Sequence, residues 1–185
     1  MKRGWTFHLG VSSIVLACCA LFLTYVWLAP STHPYVIKEQ EGSLVNPVFD
    51  LTDSQALAGF NSKYIFFLLY YTKAYQLHTR PLSTDTPRLL IVVDGVTYRA
   101  EVVRGIITVS KGTYSDPDIT LYSTREEVIR LLRTPSKIRT SFASGISKVE
   151  THASRATLFS KGYLRLYDSL FPSTITGNVI RIVGS

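Results

Sequence analysis

The chain has 185 residues, of which 46% are hydrophobic, 12% aromatic and 18% charged, and its 20 basic against 13 acidic side chains give a net charge of +7. That length supports one ordinary domain with a short appendage and excludes two full domains, while the aromatic content excludes a disordered chain and the unperiodic glycines and prolines exclude collagen-like or low-complexity sequence. Both cysteines, Cys18 and Cys19, lie in the first apolar stretch, so a disulfide scaffold or thiolate metal site is excluded over residues 20–185.

Lys2 and Arg3 close a short tail, residues 1–8, and Leu9 to Ala29 follows as 21 residues without a formal charge. As a helix this run is about 31 Å long, close to the hydrocarbon thickness of a bilayer. A cleaved signal peptide is the alternative, but its apolar region is normally shorter, and Tyr25 and Trp27 suit an interfacial belt better than a cleavage site. The expectation is a single-pass transmembrane helix over 9–29. Two basic residues precede it and only Lys38 occurs in the next twenty, which places the main domain on the non-cytoplasmic side by the positive-inside rule.

Residues 30–51, with Pro30, Pro34, Gly42 and Pro47, read as a connector, and 52–185 as the folded domain. Beyond residue 29 there are 18 basic and 13 acidic side chains. No dense basic run or nucleic-acid-binding motif accompanies them, so the surplus reads as a solvated basic face and no nucleic-acid partner is expected.

Thr52 or Asp53 caps a helix predicted to continue to about His78, with the eight-residue apolar and aromatic block Tyr64 to Tyr71 inside it. Lysines bound this block too closely for a second span, so it is a thickly buried helix that touches more than one layer or a lipid. From Leu89 the period changes to two. Leu89–Val93, Val96–Val102 and Ile106–Lys111 are strands joined at Asp94-Gly95 and Arg104-Gly105, Ile119–Leu121 is another, and three or four of them are expected to form a meander. Thr124 and Glu127 have capping-box spacing for a helix stopped by Pro135, and Ser136 to Ser144 adds further turns before Gly145. Ile146–Thr151 follows as a strand, Ala153–Phe171 as one amphipathic helix, and Val179–Val183 as a last strand.

Asp94-Gly95-Val96-Thr97-Tyr98, Arg104-Gly105 through Val109-Ser110-Lys111-Gly112, Pro117-Asp118-Ile119-Thr120-Leu121 and Phe142-Ala143-Ser144-Gly145-Ile146, in that order and spacing, resemble the sterol carrier protein type 2 domain family over roughly residues 52–171. The resemblance implies an α+β fold with a mainly antiparallel sheet of about five strands covered by helices. It also implies a lipid held in an apolar tunnel beneath the carboxy-terminal helix. The chain departs from the family pattern at Thr151-His152, where a second glycine is common, and in its extension over 172–185.

In the resembled fold the helix stripes converge, making Val128, Leu131, Leu132, Ile138, Phe142, Phe159, Tyr163, Leu166 and Leu170 candidate tunnel-lining residues; the same stripes would also fill an ordinary core. Burying one methylene contributes about 0.8 kcal/mol, so a sixteen-carbon chain gains about 13 kcal/mol before costs, without any reactive group. Catalysis has little support: His8, His33, His78 and His152 are far apart, and no His-Glu-x-x-His, P-loop, Gly-x-Ser-x-Gly or Gly-x-Gly-x-x-Gly occurs. Asp116 and Asp118 flank Pro117 and are expected to shape a turn rather than hold a cation, and Glu126 and Glu127 suit a helix start. No cofactor, metal or catalytic residue is expected. The function expected is membrane-anchored binding or transfer of a lipid or other long apolar molecule. The alternatives are a non-catalytic docking or dimerising module with a filled core and, further off, an acyl-substrate enzyme.

Overall fold

The computed structural model describes residues 16–21, 23–24, 45–80 and 83–171. The chain divides into two compact units, Met1–Pro30 and Ser31–Ser185. In the first, residues 16–21 and 23–24 are helical and the described side chains are exposed. No helix among the described residues is long and apolar enough to cross a membrane, and most of the span expected over 9–29 lies outside them. The strand expected over Val179–Val183 also lies outside the described residues.

In the second unit, Asn46 donates through Nδ2 to the Leu132 carbonyl at 2.8 Å, and Val48 is buried in the core. Helix α1 (Asp53–Ala58) starts on a complete capping box: Thr52 Oγ1 accepts from the Gln55 amide, and Gln55 Oε1 accepts from the Thr52 amide. It stops at Gly59. Asn61 then caps α2 (Ser62–Tyr71) by accepting from the Lys63 amide at 2.9 Å. The single helix expected over 53–78 is therefore two helices and a 3₁₀ turn (Ala74–Gln76), because Gly59 and Asn61 supply a stop and a start within a continuous apolar pattern. Tyr64, Ile65, Phe67, Leu68 and Leu69 of α2 are buried.

Strands β1 (Arg88–Val93), β2 (Val96–Val103), β3 (Ile106–Lys111), β4 (Ile119–Ser123) and β5 (Lys148–Thr151) form one mixed sheet in the order β3-β2-β1-β4-β5. The hairpins at Asp94-Gly95 and Arg104-Gly105 are as expected, with all four turn residues at positive φ, the pattern whose twist suits two-residue hairpins. The meander, however, ends at β3. β4 returns to the far side of β1 and pairs with it in parallel, Leu89 beside Ile119 and Ile91 beside Leu121. The Asp118 amide donates to the Arg88 carbonyl at 2.8 Å and its carboxylate accepts from the Arg88 amide at 2.8 Å, so the new pairing is set one residue before β4 begins. Leu89, Ile91, Val93, Tyr98, Ala100, Val102, Ile119 and Leu121 form the buried face of the sheet.

Helix α3 (Arg125–Arg133) packs against α1 and α2, which in turn packs on β3. A 3₁₀ turn (Pro135–Lys137) leads into α4 (Ile138–Ala143). The single helix expected over 153–171 is two, α5 (Arg155–Ser160) and α6 (Tyr163–Leu170), broken at Lys161-Gly162. α6 packs against α4, α5 and the Ala74–Gln76 turn. Gly162 has φ +82°, and a β-carbon there would lie 3.1 Å from the His78 ring, whereas Gly145 has φ +77° with open space around it. Alanine at Gly145 should cost about 1 kcal/mol, the left-handed penalty alone. Gly162→Ala should lower the urea midpoint clearly further, because His78 must also move; equal midpoints would remove the steric part of this account.

Candidate functional site

The candidate site is drawn from apolar residues that three helices contribute to the core; α4 and α6 pack on each other, and α3 packs on α1 and α2. Val128, Leu131 and Leu132 of α3, Ile138 and Phe142 of α4, and Tyr163, Leu166 and Leu170 of α6 are all buried in one continuous cluster. Phe159 is apart from them: it lies on α5, on the other side of the Lys161-Gly162 break, and is 49% exposed. The spacing from Phe159 to Tyr163 spans two helices and keeps no common face.

What positions α6 is a charged cluster that the sequence did not announce. Lys161 has no exposed surface. Its Nζ lies 3.0 and 2.9 Å from the two oxygens of Asp118, 2.8 Å from Asp85 Oδ1 and 2.9 Å from the Thr86 carbonyl. Asp118, also buried, accepts from the Tyr163 hydroxyl at 2.9 Å and from the Arg88 amide. Its carbonyl accepts from the His152 and Ala153 amides, so one residue joins β1, β4, the end of β5 and the start of α6. Burial, reinforced by the Asp118 charge and hydrogen bond, pushes the Tyr163 phenol well above its ordinary range, so it stays a protonated donor. Asp118 was expected to shape a turn with Asp116; Asp116 does sit outside, on Arg88 at 2.7 Å, but Asp118 faces inward and is matched by a cation of the chain itself. One signal was available: Lys161 falls three residues after buried Leu158 and two before Tyr163, on the apolar side of the pattern.

The far end of α6 is held differently. Ser169 Oγ donates to the Thr72 carbonyl at 2.6 Å, Arg139 Nη2 donates to the Asp168 carbonyl at 2.9 Å, and the Tyr167 and Thr151 hydroxyls are 2.6 Å apart. Half-buried Phe171 stacks on Tyr167 and meets Phe142 edge-on.

A second buried carboxylate lies on α3. Thr124 Oγ1 accepts from the Glu127 amide, as the capping spacing predicts, but the Glu127 side chain does not reach back. It takes two hydrogen bonds from Arg130, at 2.7 and 2.6 Å, and one from Ser141 of α4. Ser141 Oγ lies 3.0 Å from Ser147 Oγ, which is 3.0 Å from Ser123 Oγ, so the chain of hydroxyls links α3, α4 and the end of β4. Arg130 holds the Glu127 carboxyl below the ordinary carboxylate range against the opposing effect of burial, with Ser141 assisting. Among the described residues, no group of three or more His, Cys, Asp or Glu side chains is arranged to hold a metal ion.

No protein-family model matches the sequence, and no curated protein matches it. Among solved structures, the sec-alkyl sulfatase PisA1, determined as a double mutant, is 15% identical with a TM-score of 0.40, over 68% of this chain and 18% of its own. The UbiJ-SCP2 ubiquinone synthesis protein is 18% identical with a TM-score of 0.34, over 63% of this chain and 93% of its own. Sterol carrier protein 2 like 2 from Aedes aegypti is 13% identical with a TM-score of 0.32, over 56% of this chain and 94% of its own. The chain thus spans less than a fifth of the sulfatase, and TM-scores of this size assign it to no family.

Two measurements probe the polar supports. Lys161→Met leaves the Asp118 carboxylate buried without its cation and should cost about 3–5 kcal/mol in urea unfolding. Adding Asp118→Asn should recover part of that loss, and a double variant no better than the single would count against the pairing. Glu127 contributes stability in full above its unfolded pKa and loses it as pH falls through the lower folded value. The deficit of Glu127→Gln relative to wild type should therefore be largest at neutral pH and shrink below about pH 4.3, whereas a deficit constant into acid would refute this assignment.

Proposed function

We propose that the folded unit binds a long apolar molecule of the lipid class beneath α6, without chemistry. The observation that supports this reading is the make-up of the core where α6 packs on α4: Tyr163, Leu166 and Leu170 with Ile138 and Phe142, all hydrocarbon apart from one phenol whose hydroxyl is already bonded to Asp118. α6 is also a separate helix, with polar anchors at Lys161 just before it and Ser169 near its end. An interior of this kind recognises length and apolarity rather than functional groups, so broad selectivity is expected. In this proposal residues 9–29 anchor the chain in a membrane with the domain on the non-cytoplasmic side, which reporter fusions at the two ends would test.

A second reading, a docking module with a filled core, is favoured by one fact: Val128, Leu131, Tyr163 and Leu170 have no exposed surface and belong to the same cluster as the sheet's buried face.

One variant separates the two. Residues 31–185 would be purified, extracted with organic solvent for mass spectrometry, and titrated with a fluorescent fatty-acid analogue. Lipid binding predicts a co-extracted apolar molecule, saturable displacement, and a Leu166→Trp variant that keeps its unfolding midpoint while losing displacement, because the indole takes the guest's place. A filled core predicts nothing extracted and a Leu166→Trp variant destabilised by about 1–3 kcal/mol through overpacking.

A further inference from the structure

We propose that the Asp94-Gly95 link is a latent site of isoaspartate formation, and that Arg125 holds it closed, independently of whether a guest occupies the interior. Asp94 and Gly95 form the tip of the β1–β2 hairpin, and both are exposed. The sequence contains this one Asp-Gly and no Asn-Gly. An aspartate followed by glycine can rearrange unaided. The Gly95 amide nitrogen attacks Cγ of the Asp94 acid, the new C–N bond closes a five-membered imide, and the carboxyl's hydroxyl leaves with the amide proton as water. Water then opens the imide at either carbonyl. One opening restores aspartate, and the other leaves the main chain running through the side-chain carbonyl. Glycine favours the attack because it puts no side chain beside the nitrogen, and the surroundings are open too: a β-carbon built on Gly95 would meet nothing within 4 Å.

The attack requires Cγ to swing over the Gly95 nitrogen, and the contacts of Asp94 oppose that swing. Its Oδ2 accepts from Arg125 Nε at 2.8 Å and from the Arg125 amide at 3.2 Å. The second donor is the first amide of α3, a group that the helix itself leaves without a partner. The main chain is held as well. φ is +49° at Asp94 and +79° at Gly95, the turn geometry that matches the twist of the flanking strands, and the Asp94 amide donates to the Ser123 carbonyl at 3.4 Å. An exposed ion pair contributes little to stability, but holding one rotamer in place needs little. Arg125 is thus a positioning residue. Rearrangement would add a methylene to the main chain between Val93 and Val96, which pair across the turn, and would take the acceptor away from the start of α3.

The test ages the full chain in a non-ionic detergent at neutral pH and measures isoaspartate at residue 94 by electron-transfer fragmentation of its peptide. Urea-unfolded wild type sets the unrestrained rate. Folded wild type should accumulate isoaspartate many times more slowly, Arg125→Ala severalfold faster than folded wild type, and Arg125→Lys at a rate between the two. Amide exchange over Leu89–Val93, unchanged from wild type, would show that both variants keep the sheet. Gly145→Ala, which strains the fold outside this hairpin, should age as wild type does, so that loss of the clamp is separated from loss of stability. Equal rates in wild type and Arg125→Ala would overturn the proposal. So would a folded wild type that ages as fast as the unfolded chain, or a Gly145→Ala variant that ages as fast as Arg125→Ala.

Discussion

The placement of α6 depends on one buried ammonium. Taking Lys161 out of water is costly, by several kcal/mol even after relaxation, and the cost is offset only if its hydrogen bonds are all made with good geometry. Asp118, Asp85 and the Thr86 carbonyl supply them. Apolar contact alone would leave α6 free to slide, because hydrophobic attraction has little direction. The ion pair removes that freedom. The left-handed turn at Gly162 follows from the same requirement: the Lys161 carbonyl accepts from the His78 amide while the next side chain, Tyr163, must enter the core and reach the same carboxylate.

The parts of the fold legible in the sequence were those encoded by neighbours along the chain. Asp-Gly and Arg-Gly between alternating runs specify two hairpins locally, and Thr124 specifies the start of α3. Partner choice between strands is not local. Nothing in Gly112 to Pro117 distinguishes a short turn from the return that carries β4 past β2 to the far side of β1. Helix breaks were hidden for a related reason, since the three-and-four spacing of apolar residues runs on through Gly59 and Gly162. Eight of the nine candidate residues are buried, each on a stripe within a single helix, whereas Phe159 was joined to Tyr163 by a spacing that holds only if no break intervenes. Asp118 and Lys161 were illegible as a pair because 43 residues separate them and each has an ordinary local explanation.

Both buried carboxylates are committed to neighbours inside the fold. Glu127 is saturated by Arg130 and Ser141, and Asp118 by Lys161, Tyr163 and the Arg88 amide. The Tyr163 phenol remains protonated because it is buried, beside a negative charge.

The two ends of α6 also differ in how readily water can replace their contacts. At the Leu170 end the bonds are an arginine to a carbonyl, a pair of hydroxyls and a serine to a carbonyl, the first two at exposed positions. Exchanging such a bond for water changes the free energy by about 1 kcal/mol. At the Lys161 end the same exchange would admit water to a buried ion pair and a buried phenol, at several times that cost. Among the described contacts, those at the Leu170 end of α6 are therefore the cheaper to break and those at Lys161 the costlier.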